Sequence, residues 1–108
     1  MKELSLRPYF GTVRVCQTKA EYQREHRRLT GRVDADLETG SEKEGRMSAH
    51  FGPHAPAFIV WATKPCYLAH ELSHVILIVF DMAGIDPRQA NGEPFCYMLS
   101  QLMLEAMG

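Results

Sequence analysis

Pro65-Cys66-Tyr67-Leu68-Ala69-His70-Glu71-Leu72-Ser73-His74-Val75-Ile76-Leu77-Ile78-Val79-Phe80-Asp81-Met82-Ala83 is the stretch that decides how the rest of the chain is read. Leu68, Leu72, Val75, Val79 and Met82 recur at intervals of three and four, the period of a helix. Pro65 suits the first turn, where its missing amide proton is not needed, and Gly84 and Pro87 terminate the segment. Ile76, Leu77, Ile78 and Phe80 fill other faces, which predicts a helix enclosed by protein on most sides. Within it, His70 and His74 stand four apart. Four residues turn a helix by about 40° and advance it by about 6 Å, so both imidazoles project from one face and can share a cation. Glu71 lies about 100° round, beside such a cation, where it can take a proton from bound water. The alternative is a pair of structural histidines, one hydrogen-bonded and one exposed. The apolar run after the motif and the apolar strand before it favour the metal site, because both exclude water.

Working outward towards the N-terminus, residues 57–63 (Ala-Phe-Ile-Val-Trp-Ala-Thr) form the most apolar strand candidate, with Trp61 a structural residue. Gly52-Pro53 and Pro56 mark a turn, and Arg46 to Phe51 alternates with Met47, Ala49 and Phe51 on one face. Residues 31–45 are polar and glycine-punctuated and read as a mobile surface loop. Thr18 and Glu21 make a capping box in which the threonine accepts an amide proton and the glutamate reaches back to the cap. A helix over 19–29 follows, with Ala20, Tyr22, His26 and Leu29 inward and Gly31 at its end. Before it, Thr12 to Cys16 reads as a short strand. Towards the C-terminus, 84–92 is a loop and Glu93-Pro94 opens a helix running to about Met107. Met98, Leu99, Leu102, Met103 and Ala106 are core positions on it, with contact to a second copy in a homodimer as the alternative. The order β-α-β-β-α-α predicts an α+β fold, a small, mainly antiparallel twisted sheet packed on the central and C-terminal helices.

A chain of 108 residues supports one domain, read here as spanning 1–108. Twelve basic and thirteen acidic side chains nearly cancel, which argues against a general phosphate-binding surface and a specific nucleic-acid partner. Arg24, Arg27, Arg28 and Arg32, with His26, form a basic cluster. It reads as a solvated helix face balanced by the acidic loop at 34–44, with a nucleic acid or acidic partner as the alternative. The mixed charge of Met1-Lys2-Glu3 lacks a following apolar segment, so no secretory signal is expected. The run Val75 to Phe80 is far short of the ~20 residues that cross a bilayer, so no membrane association is expected. Three widely spaced cysteines, Cys16, Cys66 and Cys96, fit free thiols in the cytoplasm.

A catalytic zinc usually takes a third protein ligand. The sixth residue after His74 is Phe80, so no third histidine stands there. Asp81 lies ~10 Å beyond His74 along the helix and cannot reach. Glu93, nineteen residues after His74 and across a Gly/Pro-containing loop, is the strong candidate. A carboxylate that merely favours a helix N-terminus is its other reading, worth ~0.3–1 kcal/mol. Cys66, four residues before His70, is a further conceivable ligand, although buried small residues are the plainer reading of Cys66 and Cys96.

The sequence His70-Glu71-Leu72-Ser73-His74, followed by Asn91-Gly92-Glu93 opening a second helix, resembles a gluzincin, a metallopeptidase of the zincin superfamily. In its small size it is similar to zincin-like proteins of phages and prophages. The resemblance covers residues 57–107. It implies a zincin-like fold with Zn2+ held by His70, His74 and Glu93, and with Glu71 as general base. It also implies that the strand at 57–63 is the cleft edge on which a peptide pairs. Tyr97 stands where many gluzincins carry an aspartate, and its hydroxyl is a candidate partner for a motif histidine. His50, His54, Tyr67 and Tyr97 are the candidates for stabilising an oxyanion. The implied function is a zinc-dependent peptidase that hydrolyses peptide or protein substrates with a zinc-activated water. The alternative is a non-catalytic binding protein of the same fold, such as a phage factor acting on a host protein, with zinc as a structural staple.

Overall fold

The computed structural model of the chain describes residues 1–38, 44–53 and 55–108. Its strands are β1 (Lys2–Ser5), β2 (Thr12–Cys16), β3 (Gly45–His50) and β4 (Ala57–Ala62). Its helices are α1 (Lys19–Thr30), α2 (Ala35–Glu38), α3 (Pro65–Ala83) and α4 (Glu93–Met107), and a short 3-10 turn at Gln89–Gly92 leads into α4. The strands form one mixed sheet in the order β1-β2-β4-β3. β2 and β4 run parallel, and the two outer pairings are antiparallel.

The apolar run of β4 explains its place. Successive side chains of a strand point to opposite faces. Phe58 and Val60 enter one core with Val13 and Val15 of β2, while Ile59 and Trp61 enter a second with Cys16. A strand buried on both faces needs cover on each, and the helices supply it. Leu72, Val75, Ile76, Val79 and Phe80 of α3, with Leu102 and Ala106 of α4, close the first core. Tyr22 of α1 and Leu37 of α2 close the second. The result is a compact α+β domain with helices on both faces of the sheet.

Several expectations are corrected here. The strand at 57–63 is not a cleft edge, because β4 hydrogen-bonds to β2 on one side and β3 on the other and has no free backbone row. The free edge beside α3 is the outer side of β3. β1 and α2 were not foreseen; each has a single fully or nearly buried apolar residue, Leu4 and Leu37, too little to make a periodic pattern. Part of the 31–45 segment is thus structured, and the mobile-loop reading otherwise falls on residues 39–43, outside the described residues. The enclosed α3 of the sequence reading is instead two-sided: Leu77 and Met82 are exposed along with His70 and His74. By length and composition alone α3 is long and apolar enough to cross a membrane; its Leu72-Val75-Ile76-Val79-Phe80 stripe is buried in the core.

α1 turns a more polar face inward than expected. Ala20 and Leu29 are exposed, whereas Tyr22, Gln23 and Glu25 are buried. Thr18 caps α1 by accepting the Glu21 amide at 3.0 Å, and the Glu21 carboxylate accepts the amide of Gln17, one residue before the cap, at 2.8 Å. A polar seam joins α1 to the sheet. The Tyr22 hydroxyl donates to Asp34 Oδ2 at 2.8 Å, and Arg46 Nε donates to the same oxygen at 2.9 Å. Gln23 closes a two-way bond with the Asp34 backbone. Further along, His50 Nε2 meets Ser48 Oγ at 2.9 Å, and the rings of His50 and His26 meet edge to face at 5.5 Å.

Two groups of this seam make the fold sensitive to acid. Burial alone would raise the Asp34 carboxyl, but the bonds from Arg46 and Tyr22 hold it below its ordinary value. Burial first, and then His26 beside it, push His50 below its ordinary 6.5 despite the opposing pull of Asp34. Both groups bind protons less readily folded than unfolded, so each contributes stability above its ordinary value and loses it as pH falls. Urea midpoints are expected to fall as pH drops below 6.5, and again as Asp34 protonates below 3.8. His50→Gln should remove the upper step; a flat wild-type profile between about pH 7.5 and 5 would contradict the assignment of that step to His50.

Candidate metal centre

Lys64 lies just before α3 in extended conformation, and Pro65 opens the helix without needing an amide partner. Gly84 ends it in the left-handed region at φ 72°, its amide bonding back to Phe80 and Asp81. With the Leu72-Val75-Ile76-Val79-Phe80 stripe facing the sheet, His70 and His74 are left on the outward face, both exposed. Their rings meet nearly perpendicular, with centroids 4.7 Å apart and Nε2 atoms 3.2 Å apart. Two imidazole nitrogens bound to one tetrahedral zinc, each at 2.0–2.1 Å, stand about 3.3 Å from one another. In the absence of an ion the same 3.2 Å contact is a hydrogen bond between the two rings, one protonated nitrogen donating to the other, and its length is close to the spacing of two ligands on one such ion.

Glu71 is half-buried, and its Cγ stands beside Gly45 at the start of β3. Gly45 makes room for it. A Cβ at Gly45 would stand 3.3 Å from Glu71 Cγ and 3.0 Å from the Trp61 carbonyl oxygen. The motif glutamate thus packs against the first residue of the free edge strand, an arrangement no local spacing announces.

Glu93 is not brought to the pair. It is exposed as the first residue of α4. The Phe80–Phe95 ring contact, 6.3 Å between centroids, sets the start of α4 against the last turns of α3. Phe80 is six residues, or about 9 Å along the axis, beyond His74. Among the described residues no three His, Cys, Asp or Glu side chains converge as a metal site. The loop leading to Glu93 passes through three successive positive-φ residues, Ala90 at 51°, Asn91 at 57° and Gly92 at 78°.

The remaining candidates separate. Tyr97 is 73% exposed and lines a groove of about 440 Å3 with Arg7, Pro8, Tyr9 and Pro94, on the β1 side of the domain. Tyr67 lies one turn before His70, partly exposed. His50 belongs to the seam on the other face of the sheet, and His54 lies outside the described residues. Cys66 and Cys96 are exposed, contrary to the buried reading, because both occupy outward positions in the first turns of their helices. Only Cys16 is enclosed; burial, with Glu21 and Glu25 adding to it, pushes its thiol up to about 12, so it is unreactive.

No protein-family model matches the chain, and no curated protein or solved structure is significantly similar to it.

The Gly45 contact yields a direct test. Gly45→Ala sets a methyl group tightly against Glu71 Cγ and the Trp61 carbonyl oxygen, each of which must give by a few tenths of an ångström, and should lower stability by about 1 kcal/mol once the stiffer unfolded chain is allowed for. An unchanged thermal midpoint would show that the helix and edge strand do not meet this closely.

Proposed function

We propose that this chain is a zinc protein of minimal gluzincin type, with a zincin-like fold, His70, His74 and Glu93 as ligands, and peptide-bond hydrolysis as its chemistry. The observation that carries the reading is the 3.2 Å separation of the two Nε2 atoms on one exposed helix face. When bound, zinc supplies a Lewis acid that polarises a carbonyl and acidifies water. Glu71 accepts a proton and returns it to the leaving amine. The core behind the motif, Leu72, Val75, Ile76, Val79 and Phe80, keeps water from that side of the site. Among the described residues no strand pairs with the outer edge of β3, so an extended peptide can align there next to Glu71. Glu93, exposed at the start of α4, is the carboxylate that the resemblance offers as third ligand, and it would have to move to reach the pair. Free cysteines fit a cytoplasmic setting for this chemistry.

A second reading has its own support. Because the histidine pair is exposed and no third ligand stands beside it among the described residues, the same site suits a non-catalytic binding protein acting on another protein. Glu71 separates the two. Glu71→Gln is expected to retain zinc and thermal stability while losing any zinc-dependent peptide hydrolysis. His70→Ala is expected to lose zinc, about one per chain in the wild type. Equal losses of stability in the two variants would overturn the general-base role. Zinc retention and stability with no hydrolysis of any peptide library by the wild type would favour the binding protein.

A further inference from the structure

Residues 19–32 carry five basic side chains and two acidic ones in a chain whose net charge is −1. The fold consumes both acids. Glu21 accepts from the Gln17 amide and lies 3.4 Å from the terminal amine. Glu25 is shared by Arg14 and Arg28, each at 2.9 Å. Of the described acids of the 34–44 segment, Asp34 and Asp36 pair with Arg46 and Glu44 accepts from the Thr63 hydroxyl. Lys19, Arg24, Arg27 and Arg32 are all exposed, and none forms an ion pair with the described residues.

Three of these four cations share one concavity. Lys19, Arg24 and Arg27 line an open groove of about 570 Å3 with Ala20, Gln23 and Val33. Eight residues of helix, about 12 Å, separate Lys19 from Arg27. That is the length of about four extended residues. Like charges this close repel one another and lower the stability of the helix. An anionic partner removes that repulsion.

We infer that this groove on the outward side of α1 is a docking site for an acidic polypeptide segment. Arginine forks and a lysine ammonium match successive carboxylates, and the aliphatic floor of Ala20 and Val33 takes the stems between them. A single-stranded nucleic acid is disfavoured, since no aromatic ring lines the groove for bases to stack on and Tyr22 is buried. The groove lies across the sheet from His70 and His74, so this inference does not depend on the metal reading.

The test uses the full chain in EDTA, so that carboxylates cannot bind through a metal at the histidines. A labelled peptide of about eight glutamates should bind saturably, weakening about tenfold or more between ~50 and ~300 mM salt. Arg24→Glu/Arg27→Glu should weaken it about tenfold or more, and Lys19→Glu alone should weaken it measurably, while an eight-glutamine peptide does not bind. These residues are exposed, so the wild-type circular dichroism spectrum is expected in each variant. Absence of saturable binding, equal binding by the charge-reversed variants, or tighter binding of oligothymidylate than of the glutamate peptide would overturn the inference.

Discussion

Phe58 and Val60 on one face of β4, with Ile59 and Trp61 on the other, leave that strand without a solvent side. A strand in this position needs neighbours along both edges and helices over both faces. β2 and β3 take the edges, α3 and α4 cover one face, and α1 and α2 cover the other. The orientation of α3 follows from the same constraint. Its five buried residues must meet the sheet and α4, so the opposite stripe, with His70 and His74, can only point outward.

The domain therefore offers two unlike surfaces separated by one sheet. On the α3 side are the exposed histidine pair and Glu71, whose Cγ packs beside Gly45 at the start of the edge strand β3. On the α1 side, the polar seam from Arg46 through Asp34 and Tyr22 holds the helix in place while its cations face outward. Asp34 belongs to the seam, since it engages Arg46 and does not pair with the α1 cations.

Much of this is written in local pattern. The bounds of α3 and α4 follow from three-and-four spacing and from Pro65, Gly84 and Glu93-Pro94, all of which act within a turn. The histidine pair is legible for the same reason, since four residues of helix determine its geometry. Long-range placement is not legible in this way. The interior position of β4 follows from its apolar content only when both faces are counted, and the cleft-edge expectation counted neither. The inner face of α1 was misjudged because hydrogen bonds to Asp34 and Arg14, rather than apolar burial, hold Gln23 and Glu25 inside. The position of Glu93 depends on a left-handed backbone at Ala90, Asn91 and Gly92, and of these only the glycine advertises such a conformation.

The central claim is that His70 and His74 share one zinc ion. Zinc-edge X-ray absorption on the zinc-loaded chain tests it at the level of the bonds. The account predicts a four-coordinate shell of nitrogen and oxygen at about 2.0–2.1 Å, with imidazole scattering from two histidines that disappears in His74→Ala. A six-coordinate shell of water oxygens, or a sulfur shell at about 2.3 Å indicating cysteine ligation in place of the pair, would contradict it.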